Sequence, residues 1–235
     1  MKRMVCAGIF LLMLNCCAAQ HREYAFYELY QLDSLSQASS PGRHFGGLYF
    51  DFLTLVEKKL EEADPDTRRL VRNFEQVFAR FYIDACIAFS QKREIPLPAW
   101  REYFRDTTLS RAQYFLLGAN AHLNGGLAEA IANSYTPAEW KGLKKEYVLF
   151  NSCLNETLRK VYDEAISTSG RAKTLSFITL GLTRPVSNLY MYKWRKRQMR
   201  VTEFYFDKDE RFASLQKKID RKKARIDRTI IRNIR

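Results

Sequence analysis

The stretch that bears most directly on the fold is Leu116-Leu-Gly-Ala-Asn-Ala-His122-Leu-Asn124-Gly-Gly-Leu-Ala-Glu-Ala-Ile131. Its spacing is that of a buried helix, yet it contains a histidine, two asparagines and three glycines. A glycine in a helix interior costs about 1 kcal/mol relative to alanine, so another interaction must outweigh helix propensity here. A close helix crossing, a polar network or a binding site would each do so, and the sequence leaves all three open.

The polar and small residues of this stretch fall on two faces of the predicted helix. Gly118, His122 and Gly125–Gly126 lie on or near one face, and Asn120 and Asn124 share a second face at i, i+4. Small residues let another helix approach closely, which predicts a helix crossing with His122 inside it. The second hypothesis is a polar site in which His122 acts as a ligand, a base or a hydrogen-bond donor.

Helical patterns continue along most of the chain. The strongest amphipathic stripe predicts a helix from Asp64-Pro65, an acidic cap followed by a first-turn proline, to about Gln91. Thr136-Pro137-Ala138-Glu139 is a capping box that starts another helix. Further helices are predicted from Thr183 to about Met199 and from Asp209 to Ile231, with Phe204–Phe206 as a brief extended piece. The fold class is therefore all-α, a single multi-helix orthogonal bundle with a basic C-terminal helical extension.

The N-terminus has the pattern of a secretory signal, with a basic start, an apolar run from Val5 to Leu14 and a small-residue exit. Cleavage after Ala19 is one interpretation. The other is a lipobox-like segment that would make Cys17 the lipidated first residue. Both predict export, to the periplasm or anchored in the envelope. We expect a signal over 1–19, a helical domain over 20–182 and a basic extension over 183–235. No later segment has the ~18–20 apolar residues of a transmembrane helix.

Two cysteines, Cys86 and Cys153, certainly remain after removal of this signal. An oxidising compartment would permit a disulfide, but both lie in apolar helical patterns, which favours buried free thiols. No cysteines or histidines have metal-ligand spacing, so neither a metal nor a cofactor is predicted. The chain also has no nucleophile elbow, His-Glu-x-x-His motif or phosphate loop.

Asp84 interrupts the longest apolar stripe, where a carboxylate is costly unless it is paired. His122, Asn124 and Arg80 are its natural partners. A contact with His122 would orient the imidazole, as in acid–base sites. The alternatives are an exposed aspartate or a buried structural pair. His122 and Asp84 are thus the catalytic candidates, and Asn120, His122 and Asn124 are the ligand-binding candidates.

Four motifs occur in a fixed order, namely Phe45-Gly-Gly-Leu-Tyr49, Ala79-Arg-Phe-Tyr82, Pro98-Ala-Trp100-Arg-Glu-Tyr-Phe104 and Leu116–Asn124. Together they resemble a bacterial family of helical proteins of unknown function, over roughly residues 44–165. The hallmark of that family is an Asn-Ala-His-Ile-Asn segment followed closely by Asp-Leu. The resemblance implies a helical domain with a shared cluster of polar residues at Asn120, His122 and Asn124, and it implies no known activity. This chain has Gly126 before Leu127 where the family tends to carry aspartate.

Positive charge is concentrated at the C-terminus. From Lys193 to Arg235 there are sixteen Lys/Arg and six Asp/Glu, a net +10 out of +11 without the predicted signal. A basic amphipathic helix suits an anionic membrane surface, whereas export disfavours nucleic acid as a partner. The alternative is a solvated helix whose isoleucine stripe packs on the body or on a second copy. The surface-binding candidates are Lys193, Arg195, Lys196, Arg197, Lys218, Arg221, Lys222 and Arg225.

These patterns lead to two hypotheses about function. The first is an exported cell-envelope protein, a binding or structural module whose basic tail contacts an anionic surface or an envelope protein. The second is an enzyme or small-ligand binder with its site at His122, Asp84, Asn120 and Asn124.

Overall fold

The computed structural model describes residues 25–38, 41–143 and 183–233, together with Cys153 and Glu156. These residues form helices joined by turns, with no strand among them, and pack into a single body. The all-α prediction is therefore confirmed. The predicted signal, Cys17 and the segment 157–182 lie outside the described residues. The helices are α1 (Tyr27–Ser36), α2 (Gly42–Leu60), α3 (Pro65–Ser90), α4 (Arg101–Arg105), α5 (Arg111–Asn120), α6 (Leu127–Ser134), α7 (Pro137–Leu143), α8 (Thr183–Phe206) and α9 (Arg211–Asn233).

Capping side chains fix the start of several helices where the sequence predicted them. Asp64 accepts the Thr67 backbone N–H at 2.9 Å, and Pro65 occupies the first position of α3. Thr136 and Glu139 form the predicted capping box of α7, each accepting the other's backbone N–H. These bonds satisfy N–H groups that have no partner within the helix.

The main core lies where α1, α2, α3 and α5 meet, and large aromatic side chains dominate it. Trp100, from a short 3₁₀ turn over Pro98–Trp100, and Tyr103 from α4 are both almost completely buried there. A second cluster joins α3 to α6 and α7. Cys86 lies in the main core as a free thiol, and Cys153 lies in a third cluster with Val56. Both cysteines are buried, as predicted.

The C-terminal helices extend further than the pattern indicated. The prediction of an extended piece at Phe204–Phe206 is wrong, because α8 continues as one helix to Phe206. Phe206 packs against the second cluster, and tertiary packing overrides the β preference of consecutive aromatics. α9 does not project from the body. Its Ile219 and Ile230 are buried, and Ile230 joins the main core.

The predicted close crossing at the glycine face is confirmed. A Cβ placed on Gly118 would lie 2.3 Å from Cδ2 of Phe45 on α2. A Cβ on Gly125 would lie 2.2 Å from Cβ of Ala99 in the 3₁₀ turn. Real Cβ atoms do not approach so closely, so these two glycines allow α2 and the 3₁₀ turn to pack directly against the helix.

Candidate functional site

A π-helical turn over Ala121–Gly126 links α5 to α6 and carries both His122 and Asn124. A π turn inserts one extra residue into a helix and therefore turns the following residues by about 100° around the axis. Such turns occur often at functional sites. The anomalous composition noted in the sequence thus corresponds to an anomaly of the backbone.

His122 is buried among four aromatic side chains. Its ring stacks on Phe78 with centroids 3.5 Å apart and planes 14° apart, and meets Tyr49 edge-on at 4.4 Å. Phe45 and Trp100 lie at 5.5 and 6.4 Å. Its Nδ1 is buried and has no hydrogen-bond partner among the described residues. Burial, and then the charge of Arg195, holds the pKa of His122 well below its usual value, so the imidazole is neutral.

A buried carboxyl group is linked to this histidine through Tyr49. Tyr49, whose ring contacts His122, donates its hydroxyl to Oε2 of Glu75 at 3.3 Å. Burial raises the pKa of Glu75 to about 8, although the nearby Arg195 and the Tyr49 hydrogen bond both act to lower it. Arg195 is itself buried and its charge reaches both Glu75 and His122. We refer to Tyr49, Glu75, His122 and Arg195 as the polar centre.

The two asparagines serve a different contact, which attaches α9 to the body. Asn124 donates to Oδ1 of Asn120 at 2.7 Å, and Asn120 donates to Oδ1 of Asp227 at 2.7 Å and to the Lys223 carbonyl at 3.1 Å. Lys223 Nζ donates to Oδ2 of Asp227 at 2.6 Å. Gln198 of α8 donates to the Asn124 carbonyl at 3.1 Å. We call this the asparagine network, and it joins α8 and α9 to the π turn.

The structure does not bring Asp84 to His122. Asp84 lies six residues beyond Phe78, the ring that stacks on His122, which places it on another face of α3. It is half-buried, and burial raises the pKa of its carboxyl group while Arg80 lowers it and Glu28 raises it. The predicted pairing of Asp84 with His122 is therefore wrong, and Arg80, another of its predicted partners, is the cation that acts on Asp84. The buried carboxyl group linked to the histidine, through Tyr49, is Glu75.

Most of the predicted surface cations are on the surface. Three on α8 and three on α9 are exposed, and Lys222 is half-buried. Burial lowers the pKa of Lys222, and the charges of Arg197 and Arg225 lower it further, so cations of both helices lie close together. Arg195 is the exception. It is only 6% exposed and belongs to the polar centre, so its prediction as a surface residue is wrong. The basic strip consists of Lys193, Lys196, Arg197, Arg200, Lys218, Arg221, Lys222 and Arg225.

The charged residues of the polar centre and the asparagine network that the sequence prediction missed are Glu75, Arg195 in its buried role, Lys223 and Asp227. A signal existed for three of them. Glu75 lies at helical spacing between Val71 and Phe78, both buried. Lys223 and Asp227 continue the stripe of Ile219 at i+4 and i+8. Charged residues at core positions were the available clue.

Two further features bear on the class of site. Within the described part of the chain, no group of three or more His, Cys, Asp or Glu residues could hold a metal ion. In the described helices, no stretch has both the length and the hydropathy that crossing a membrane requires.

Comparison with known proteins gives one family. Neither the curated proteins nor the solved structures contain a significant match to this chain. The model of DUF5995, a family of unknown function, matches residues 27–233 of this chain. That match covers α1 to α9 and so includes the polar centre, the asparagine network and the basic strip. The chain therefore belongs to the DUF5995 family of unknown function.

Proposed function

We propose that this protein binds anionic phospholipid surfaces through its basic strip. The observation that carries the proposal is the orientation of α9. Ile219, Lys223, Asp227 and Ile230 face the body and are buried, so the remaining, cationic face is the one that α9 presents to solvent. The predicted export would bring this face to the anionic lipids of the cell envelope.

The mode of binding follows from the same packing. An amphipathic helix that inserts into a membrane needs a free apolar face, but the isoleucines of α9 are part of the protein core. Adsorption is therefore electrostatic, with each Lys or Arg near an anionic surface contributing ~1 kcal/mol. The attraction acts within a Debye length of about 10 Å at 0.1 M salt, so binding should weaken steeply as salt is added.

Replacing Lys218, Arg221 and Arg225 together with glutamate is expected to weaken vesicle binding by at least about tenfold, since three favourable charges become repulsive. All three side chains are exposed, so the fold should tolerate the change. The measurement is co-sedimentation with phosphatidylcholine vesicles containing or lacking phosphatidylglycerol, at low and at high salt. Wild-type protein should sediment only with the anionic vesicles and only at low salt.

The matched control replaces Lys58, Arg69 and Lys141 with glutamate. These cations are also exposed but lie on α2, α3 and α7, so net charge changes equally while the basic strip stays intact. The control should bind like the wild type. Equal losses in both variants would mean that net charge acts without a defined surface, and that result would contradict the proposal.

The polar centre is the site of a second candidate function, a small-ligand or catalytic site. His122 is 8% exposed and enclosed by aromatic rings, so a ligand there would have to be enclosed in the core. The observation that favours it is the unpartnered Nδ1 of His122 inside a π turn. Asn120-Ala-His-Leu-Asn124 also resembles the Asn-Ala-His-Ile-Asn segment described above as the hallmark of a bacterial family of helical proteins. At position 126, where aspartate would be usual, a Cβ on Gly126 would lie 3.4 Å from the Phe78 ring that stacks on His122. Without that aspartate, the acidic chemistry of this centre would rest on Glu75.

His122→Phe tests this second function. An apolar ring among four aromatic rings should be tolerated, and it removes a buried nitrogen whose missing hydrogen bond costs about 1–3 kcal/mol. Native mass spectrometry of protein purified without denaturation should then show a small-molecule adduct on the wild type that is absent from the variant. A wild-type spectrum with the bare protein mass alone would count against a resident ligand.

A further inference from the structure

A cleft of about 480 Å³ opens at the C-terminal end of α3. Phe89, Ile95 and Phe104 contribute its apolar lining, and the Phe89 and Phe104 rings stack with centroids 4.9 Å apart and planes 27° apart. The volume is within the range of about 300–1,000 Å³ that is usual for small-molecule sites. Phe104 is 6% exposed, so the half-buried Phe89 and Ile95 supply most of the apolar surface that is open to a molecule of modest size.

The rim of this cleft is cationic, and two of its four cations are already neutralised. Arg101 pairs with Glu94 at 2.5 Å, and Arg105 pairs with Glu102 at 3.3 Å. The other two cations are Lys92 and Arg93. Both are exposed, and neither side chain makes an ion pair or hydrogen bond within the described part of the chain. The cleft therefore retains two positive charges beside its apolar lining.

The side chains of Lys92 and Arg93 are also not needed to cap the C-terminus of α3. The backbone N–H of Lys92 bonds the Phe89 carbonyl at 3.0 Å, and that of Arg93 bonds the Ala88 carbonyl at 2.8 Å. This is the Schellman arrangement, which satisfies the last carbonyls of a helix with backbone groups alone. Lys92 occupies its left-handed position, with φ 53°, where glycine would be more stable. The cation is present at a conformational cost and without a structural partner.

We propose that this cleft binds a small amphiphilic anion. The apolar body of the ligand lies on the apolar lining around Phe89 and Ile95, and a single carboxylate, sulfonate or phosphate head lies between Lys92 and Arg93. Fatty acids and aromatic acids share this chemistry. The cleft is formed by α3, α4 and the segment between them, and none of its residues belongs to the basic strip. Its function is therefore separate from vesicle binding.

The test uses two probes with the same aromatic body. 1-Anilinonaphthalene-8-sulfonate carries an anionic head, and N-phenyl-1-naphthylamine lacks it. Fluorescence titration should show saturable binding of the sulfonate to the wild type and binding at least about tenfold weaker for the uncharged analogue, because two ion pairs are missing. Displacement of the sulfonate by dodecanoate would assign the site to aliphatic acids, and sulfonate binding that resists dodecanoate would assign it to aromatic acids.

The key variant is Lys92→Gly with Arg93→Gln. It removes both charges, and glycine suits the left-handed backbone, so folding should not suffer. We expect the sulfonate to bind about tenfold more weakly, with little change for the uncharged analogue. Ile95→Asp, which places a carboxylate at the apolar lining, should weaken the sulfonate further. The Lys218, Arg221 and Arg225 to glutamate variant should bind it like the wild type. Equal affinity of the two probes, or unchanged sulfonate affinity in the Lys92/Arg93 variant, would overturn the proposal.

Discussion

Asp227→Ala is expected to destabilise the protein by about 3–5 kcal/mol, close to half the stability of an ordinary domain. Asp227 is 2% exposed and accepts hydrogen bonds from both Asn120 and Lys223. Its removal leaves the Lys223 ammonium group buried without its counter-charge and one Asn120 hydrogen bond unmade. Breaking one member of a buried pair is far more harmful than removing an exposed charge, because the remaining ion stays desolvated. Urea unfolding followed by circular dichroism gives the free energy of unfolding.

Asp220→Ala is the matched control on the same helix. Asp220 also lies at i+4 from its partner, Gln216, but it is exposed, so its loss should change stability by less than about 0.5 kcal/mol. A second variant, Lys223→Met with Asp227→Leu, removes both charges and should recover most of the loss. If Asp227→Ala is no more harmful than Asp220→Ala, the asparagine network does not hold α9 to the body.

The position of α9 shows which contacts the sequence can predict and which it cannot. Its isoleucine stripe correctly indicated a face that packs against something, and packing on the body was one of two alternatives. The network that completes this contact could not be predicted, because Asn120 and Asp227 are 107 residues apart in the chain. Helical periodicity predicts which residues of one helix share a face. It does not predict which polar residue of a distant helix will meet them.

The sequence identified His122 as a residue of the polar centre but not Arg195. His122 stood out because a histidine among glycines contradicts a plain packing helix. Arg195 was assigned to the surface because charged residues are rarely buried. The buried residues described in α8 include the polar side chains of Arg195, Gln198 and Thr202 beside Val201. An interpretation that assigns every charged residue to the surface places the face of α8 that carries Arg195 towards solvent. In the structure this face is buried, because α8 packs against α6 and the π turn.

The sequence analysis also named Asp84, and not Glu75, as the carboxylate that would accompany His122. Both carboxylates interrupt the apolar pattern of α3, and the sequence offers no measure of which one is enclosed. In the structure Asp84 is half-buried near Arg80, whereas Glu75 is 3% exposed and bonded to Tyr49. The decisive difference is the rotation of α3 relative to the π turn. The π turn approaches α3 at Gly126, where a Cβ would lie 3.4 Å from the Phe78 ring, and the sequence indicated this approach only as a crossing.

Glu75→Gln is expected to stabilise the protein at alkaline pH by several kcal/mol and to have little effect at acidic pH. The pKa of Glu75 is about 8 in the folded protein, against an ordinary value of 4.5, with burial as the main cause. The folded state therefore binds a proton that the unfolded state has released whenever the pH lies between these values. The contribution is fully present below about pH 4.5, declines as the pH rises and is lost above about pH 8. The whole difference is on the order of 5 kcal/mol.

Glutamine isolates this effect because it has the size of a protonated glutamate and no proton to lose. Its amide oxygen can still accept the Tyr49 hydroxyl, so the buried hydrogen bond survives. The measurement is the free energy of unfolding in urea at closely spaced pH values from 4 to 9, for the wild type and the variant. Their difference should be near zero at pH 4 and grow until about pH 8, with the variant the more stable protein.

His122 makes the difference between the two proteins more informative than either curve alone. Its pKa is depressed in the folded state, so it adds stability as the pH rises towards 6.5 and opposes Glu75 in the wild-type curve. Both proteins contain His122, so subtraction leaves the contribution of Glu75, together with any change in its coupling to Arg195. Glu62→Gln, at an exposed position, should follow the wild type throughout. Parallel curves for wild type and Glu75→Gln would mean that Glu75 binds no extra proton on folding. A difference that grows with pH would instead establish that Glu75 stays protonated in the folded protein at a pH where the unfolded chain has released that proton.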